Sequence, residues 1–448
     1  MQGVRRLIRK RYRRDTNKIG ARIRPFCLCG LLIMFLLFTS TRDASAYSVL
    51  THEQIVDLLW TDQLVPLILQ RYPGLSEEQL REAHAYAYGG AVIQDLGYYP
   101  FGSVEFSDLV HYVRTGDFVH ELLAESSDAN EYAFALGAMS HYVADVAGHP
   151  AVNHSVSIEY PKLRARFGSS VLYAQDKTAH LKTEFGFDVV QVAKNRYAPQ
   201  QYHDFIGFKV SEPLLERVFP VVYGLQLKDV MPREGLAVGS YRYCVSRLIP
   251  KMTQVALQTR KREMVNEQPD FARKKFLYRL ARADYETEWG KDYRRPGPGT
   301  QMLSVLLRVA PKIGPFKGLA FKNPTPQTED LYIKSINVTV DQYHADLKNA
   351  GTNTLRLANY DLDSGNPTRA GEYSLADETY ARLLSQLAAG NFEQTSTELR
   401  DNILQFYSDP SAAIATKADA SRWQGVMASL DRVKSEVPVR SVATKPMP

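Results

Sequence analysis

The stretch His141-Tyr-Val-Ala-Asp145-Val-Ala-Gly-His149 decides how this chain is read. Two imidazoles and a carboxylate recur at every fourth residue. On an α-helix, such positions stand one turn above another on nearly the same face. At a rise of about 1.5 Å per residue, each step is about 6 Å along the axis. The surrounding helix is apolar (Ala133, Phe134, Leu136, Val143, Val146). A polar stripe in that company is costly to bury unless something satisfies it, and a metal ion does. His141 and Asp145 can grip one ion, the second oxygen of Asp145 can bridge to a neighbour, and His149 can reach another ion further along.

Working outward, His180-Leu-Lys-Thr-Glu184 repeats the spacing of four. Imidazole and carboxylate are ligands that suit zinc. Alone, this pair reads more readily as a surface couple; beside the first motif it reads as a ligand pair. Asp95, in Ile-Gln-Asp95-Leu-Gly, falls at the end of the second expected helix, where a carboxylate opposes the helix dipole, so a ligand role suits it better than a structural one. His111 and His120 compete for the next slot, and spacing from Asp95 favours His111. His84 and His154 lack a partner at helical spacing and read as core or surface residues, and His203 is given no role. Nine of the ten histidines lie between residues 52 and 203, which assigns the chemistry to the first half. Tyr86, Tyr88, Tyr98, Tyr99 and Tyr112 crowd the same region; they read first as packing, and second as walls for a lipid or choline-like head group.

Apolar periodicity makes the fold class all-α. Helices are expected over 51–71 (Thr51 as N-cap, Pro66 kinking or splitting it), from Ser76 to about Ile93, and over about 105–124, 130–150, 170–195, 236–265, 328–350 and 374–406. Residues 336–340 alternate weakly but read as helical. Arg294–Gly299 is the clearest breaker.

Residues 1–46 read as a signal peptide: a basic stretch from Arg5 to Arg24, an apolar run from Pro25 to Phe38, and Ala44-Ser45-Ala46 before Tyr47. That segment holds 11 Lys+Arg and 2 Asp+Glu, so the formal +6 of the whole chain becomes −3 beyond it (44 Lys+Arg against 47 Asp+Glu). No global basic field then remains to attract nucleic acid. Cys27 and Cys29 leave with the segment and only Cys244 stays, which excludes an intrachain disulfide. The expected division is 1–46 signal peptide, 47–293 helical ligand-bearing domain, 294–430 C-terminal helical region and 431–448 flexible tail, with a periplasmic or secreted destination.

The order Tyr47 (as a new N-terminus), His52, Asp95, His111, HxxxDxxxH and HxxxE resembles the zinc-dependent phospholipase C family. Its relatives include the catalytic domain of glycosylphosphatidylinositol-specific phospholipase D and, distantly, the S1/P1 nucleases. The resemblance spans residues 47 to about 190. It implies an all-helical domain with additional C-terminal helices and a site of up to three Zn2+ ions. One ion would be held by Asp95, His111, His141 and Asp145. The second would take the Tyr47 amine and carbonyl, His52 and Asp145, and the third His149, His180 and Glu184. Asp95 would also accept the proton. The bacterial enzymes and the nucleases usually begin with Trp and place the last histidine of the helix motif six residues after the Asp. Here the residue is Tyr, which keeps the backbone ligands, and the gap is four, a spacing that looks more like the glycosylphosphatidylinositol-cleaving branch.

The resemblance implies a phosphodiesterase acting on phospholipids; outside it, the apolar Met302–Leu307 and the basic stretch 312–322 read as peripheral membrane contacts. The rival readings are an S1/P1-like nuclease or nucleotidase, against which the acidic charge argues, and a non-catalytic exported metal-binding protein. Oligomeric state is not readable from the sequence.

Overall fold

A computed structural model describes residues 48–193, 208–245, 249 and 321–435. Tyr47, His203, the Arg294–Gly299 breaker, residues 302–320 and the tail beyond residue 435 lie outside the described residues. Within them, helices α1 (Val49–Leu59), α2 (Val65–Arg71), α3 (Glu77–Ala91), α4 (Val104–Tyr112), α5 (Thr115–Glu125), α6 (Ala129–Glu159), α7 (Pro161–Phe167) and α8 (Lys177–Ala193) form the first part. Then follow α9 (Glu212–Tyr223), α10 (Leu227–Val230), α11 (Glu234–Tyr243) and α12 (Pro326–Gly351). A small antiparallel hairpin, β1 (Tyr360–Asp361) with β2 (Asn366–Pro367), pairs Tyr360 with Pro367 and Asp361 with Asn366. The last helices are α13 (Ser374–Ala389), α14 (Thr397–Phe406) and α15 (Ala420–Ser435). The all-α expectation holds. No helix among the described residues is long and apolar enough to cross a membrane.

The long helix α6 lies at the centre, and its start follows from its sequence: Asp128 accepts from the amides of Asn130 (2.8 Å) and Glu131 (2.9 Å). It runs past the expected end at 150 and through Pro150. A mid-helix proline costs about 3 kcal/mol. Burial of Val152, Asn153, Ser155, Val156 and Ser157 beyond it offsets that cost. The α3 helix opens with a capping box in which Ser76 Oγ accepts from Gln79 N (3.2 Å) and Ser76 N donates to Gln79 Oε1 (2.9 Å). It then lies against α6 at backbone contact: a Cβ on Gly90 would sit 1.9 Å from Phe134 O, and one on Gly137 2.0 Å from Ala87 O. Glycine is required at both positions. The α12 helix covers another side of α6, with Tyr343 Oη donating to Leu136 O (2.9 Å).

Further expected boundaries are corrected, and the break expected near Pro66 is present. Ser48, not Thr51, precedes the first helix; Thr51 lies inside it, its hydroxyl donating to Asp188 Oδ1 (2.6 Å). A π-helical turn at Trp60–Leu64 precedes α2, placed where Pro66 removes an N–H from the ladder. The single helix expected over 105–124 is two, because Arg114 adopts a left-handed conformation (φ 50°) and donates to Val222 O (2.7 Å) and Asp117 Oδ2 (2.7 Å). The orphan amides at the start of α5, on Gly116 and Asp117, donate to Asn359 Oδ1 at 3.0 and 3.1 Å, a cap supplied from more than 240 residues away. The 374–406 helix likewise divides into α13 and α14.

Candidate metal centre

Three of the histidines of interest are fixed by their outer edges. His141 Nδ1 bonds Ala91 O (2.9 Å), the last carbonyl of α3, which the glycine contact brings against α6. His111 Nδ1 bonds Ser107 O (2.7 Å) one turn back in α4. His180 Nε2 bonds Val171 O (2.6 Å). A carbonyl only accepts, so these ring atoms carry the hydrogen. Burial pushes the pKa of all three imidazoles down, which keeps them neutral. The opposite edges, Nε2 of His111 and His141 and Nδ1 of His180, are therefore lone pairs.

Those lone pairs point at carboxylates. His141 Nε2 lies 3.0 Å from Asp145 Oδ2, and His111 Nε2 lies 3.6 Å from both Asp145 Oδ2 and Asp95 Oδ1. His52, on α1, stacks on the His141 ring (centroids 4.2 Å, interplanar angle 9°) and places Nε2 3.6 Å from Asp145 Oδ1. His180 Nδ1 is 3.5 Å from Glu184 Oε1, and His149 Nε2 is 3.9 Å from Asp145 Oδ1. All these side chains are buried. Asp145 thus meets histidines from three helices with its two oxygens.

Acceptors facing acceptors in a dry interior repel one another unless a cation stands between them. Among the described residues, His141 Nε2, both oxygens of Asp145, His180 Nδ1 and both oxygens of Glu184 are buried without a hydrogen bond. One proton could close one gap but not the set. The distances decide between a hydrogen bond and a shared ion. Most gaps are 3.5–3.9 Å, longer than a good N–H···O bond. Two ligands at about 2.0–2.2 Å on one tetrahedral zinc stand roughly 3.3–3.5 Å apart. The residues fit a metal. Two triplets bring one ligand atom each within 4.8 Å of one another: His52, Asp95 and His141, and His111, His141 and Asp145. His149, His180 and Glu184 do not meet as closely as these, although His180 and Glu184 pair at 3.5 Å. Burial raises the pKa of Asp145 and Glu184 well above the usual carboxylate range and pushes the His149 imidazole down to about 3.

The supports are equally local. Asp95 sits in a 3-10 turn (Ile93–Tyr98) just past α3, pinned by Ser107 Oγ, which accepts from Gly97 N (2.8 Å) and donates to Gln94 O (2.5 Å). Asp188, one turn beyond Glu184, accepts from Leu50 N (3.1 Å) and Thr51 Oγ1, and so holds the helical turn that carries His52. Outside the cluster, His84 Nε2 pairs with Asp57 Oδ1 (2.8 Å) under the Trp60 ring, and His154 bonds Ser169 O (2.8 Å) at the surface. His120, half-buried on α5, belongs to neither triplet. Of the tyrosines, Tyr88 bonds Asp57 (2.7 Å), Tyr99 packs on Tyr241, and Tyr98 and Tyr112 lie beside His111.

One carboxylate was not foreseen. Asp363, in the turn after β1, places Oδ1 3.6 Å from His149 Nδ1. Asp361-Leu-Asp-Ser-Gly-Asn-Pro367 carries a turn signal, but nothing in it points to histidines far earlier in the chain.

The family described as zinc dependent phospholipase C matches residues 51–232, under half of the chain and the part that holds His52 through Glu184. No curated protein and no solved structure matches. Over this segment the chain is similar to the zinc-dependent phospholipase C family, a family of zinc-dependent phosphoric diester hydrolases.

Proposed function

We propose that this chain is an exported phospholipase C that hydrolyses phospholipids to diacylglycerol and a phosphorylated head group at a centre of three zinc ions. The observation that carries the reading is the position of Asp145, whose Oδ1 faces His52 while Oδ2 faces His111 and His141. That arrangement suits a carboxylate bridging two ions: one with Asp95, His111 and His141, the other with His52 and the amine and carbonyl of Tyr47 after cleavage behind Ala46. His149, His180 and Glu184 would hold the third. Zinc bound here would supply Lewis acidity toward the phosphoryl oxygens and a water acidic enough to attack near neutral pH.

The protein's own part is orientation and exclusion of bulk water. The carbonyls of Ser107, Ala91 and Val171 fix three imidazoles with their lone pairs inward. Asp95 serves as ligand and as proton acceptor. The apolar shell of α3, α4 and α6 lowers the local dielectric and strengthens every charge interaction with a phosphodiester.

The test uses processed protein beginning at Tyr47, since a precursor has an amide at that nitrogen. Zinc content by atomic absorption is measured beside diacylglycerol release from phosphatidylcholine vesicles and cleavage of single-stranded DNA. Three equivalents of zinc with lipid turnover and no DNA cleavage are expected. Zinc with DNA cleavage alone would favour the nuclease reading, and zinc with neither activity a non-catalytic role.

A further inference from the structure

Three imidazoles of the centre have the edge facing away from the carboxylates held by a backbone carbonyl. His149 has no such partner among the described residues. Its Nε2 faces Asp145, and its Nδ1 faces the carboxylate of Asp363, which comes from outside the family-matched segment. We propose that Asp363 is a positioning residue for the metal centre: it orients His149 and raises the basicity of its inward nitrogen, so that this chain's C-terminal part completes the site. This inference rests on the zinc reading above.

Asp363 is itself built in from several sides. Its Oδ2 accepts from Tyr112 Oη (2.7 Å) and Tyr373 Oη (2.5 Å), which fixes the carboxylate plane and leaves Oδ1 toward His149. Its backbone oxygen accepts from Asn153 Nδ2 (3.0 Å), four residues beyond His149 on α6. The neighbouring Leu362 N donates to His111 O (3.1 Å). Gly365 (φ +72°) lets the turn close onto α6, because a Cβ there would meet Val146 O at 2.5 Å. Pro150 has no N–H to occupy that carbonyl in the helix ladder. At 3.6 Å the Asp363–His149 contact is electrostatic rather than a formed hydrogen bond, and in a site this buried it is weakly screened. A carboxylate behind a metal-ligating imidazole is worth about 10- to 100-fold in metal affinity.

The experiment measures zinc affinity of full-length processed protein by chelator competition. The variants are Asp363→Asn, which is nearly isosteric, and Asp363→Ala, each also made in a His149→Ala background. Circular dichroism reports folding. About tenfold weaker binding of one zinc in Asp363→Asn is expected, more in Asp363→Ala, and no further loss in either variant once His149 is gone. A merely structural role would lower affinity equally in both backgrounds, and that result overturns the proposal. So does wild-type affinity in Asp363→Asn, which remains decisive if the alanine variant fails to fold. A wild-type protein that binds no zinc would instead sink the functional reading itself.

Discussion

Asp145→Asn is the sharpest perturbation of the centre, because it alters both faces of one carboxylate without changing its volume. His52 lies 3.6 Å from Oδ1, and His141 and His111 lie 3.0 and 3.6 Å from Oδ2. If Asp145 bridges two ions as proposed, the substitution removes a charged ligand from both at once, and zinc content should fall by two equivalents rather than one. His149→Ala, which touches only the far end of the stripe, should cost one. An ion present at a hundredfold over its Kd stabilises the fold by about 2.7 kcal/mol, so losing two costs about 5 kcal/mol. At about 2–4 °C per kcal/mol, the zinc-loaded melting temperature should drop by about 10 °C or more. Without zinc the sign reverses. Burial holds the Asp145 pKa well above its unfolded value, so the folded state binds that proton more tightly. The metal-free wild type then loses stability as pH rises above about 4 toward the raised folded pKa. The Asn variant has no such loss and should be the more stable of the two at neutral pH. Differential scanning fluorimetry with and without chelator, beside atomic absorption, reads both arms. A variant that keeps the full zinc complement, or one destabilised equally with and without metal, refutes the bridging argument.

Other consequences follow from the same geometry. Because Asp145 and Glu184 have raised pKa values in the metal-free fold while His111, His141 and His180 are already neutral, zinc must displace protons from carboxylates. Zinc affinity should climb with pH until those raised values are passed, with proton release visible as buffer-dependent heats in titration calorimetry; uptake of protons would contradict the assignment. Gly137→Ala places a Cβ 2.0 Å from Ala87 O and should cost about 3 kcal/mol of stability on denaturant unfolding, with lower zinc content as the Ala91 carbonyl moves off His141. Asn359→Ala removes the distant cap on α5 and should cost about 1–2 kcal/mol by the same measurement, although nothing in α5 itself has changed.

Which parts of this site could be read from residues alone depends on how local the relevant force is. The stripe His141, Asp145, His149 is legible because three polar groups at helical spacing inside Ala, Val and Phe demand a partner wherever the helix goes. Asp95 is legible from its place at a helix end, where a carboxylate opposes the dipole, and His111 only through its spacing from Asp95. Helix limits were misjudged where distant contacts act: Asn359 caps α5, and buried valines carry α6 through Pro150. Asp363 was out of reach, because its turn contains nothing that names His149 as its neighbour.

The orientation of the ligands has a further, non-local origin. His141 is aimed by the Ala91 carbonyl, and that carbonyl is within reach only because Gly90 and Gly137 let α3 and α6 touch backbone to backbone. Each glycine stands in plain view in Tyr-Gly-Gly-Ala and Leu-Gly-Ala, yet neither segment states which helix it is cut to fit. The chemistry of the centre is thus written four residues at a time, while its aim is set by helix contacts between residues about fifty apart. A substitution far from any ligand, at Gly90 or Gly137, should therefore disturb the metals as surely as one at His141. A substitution of similar size at an exposed glycine with open space around it, such as Gly235 or Gly239, should not.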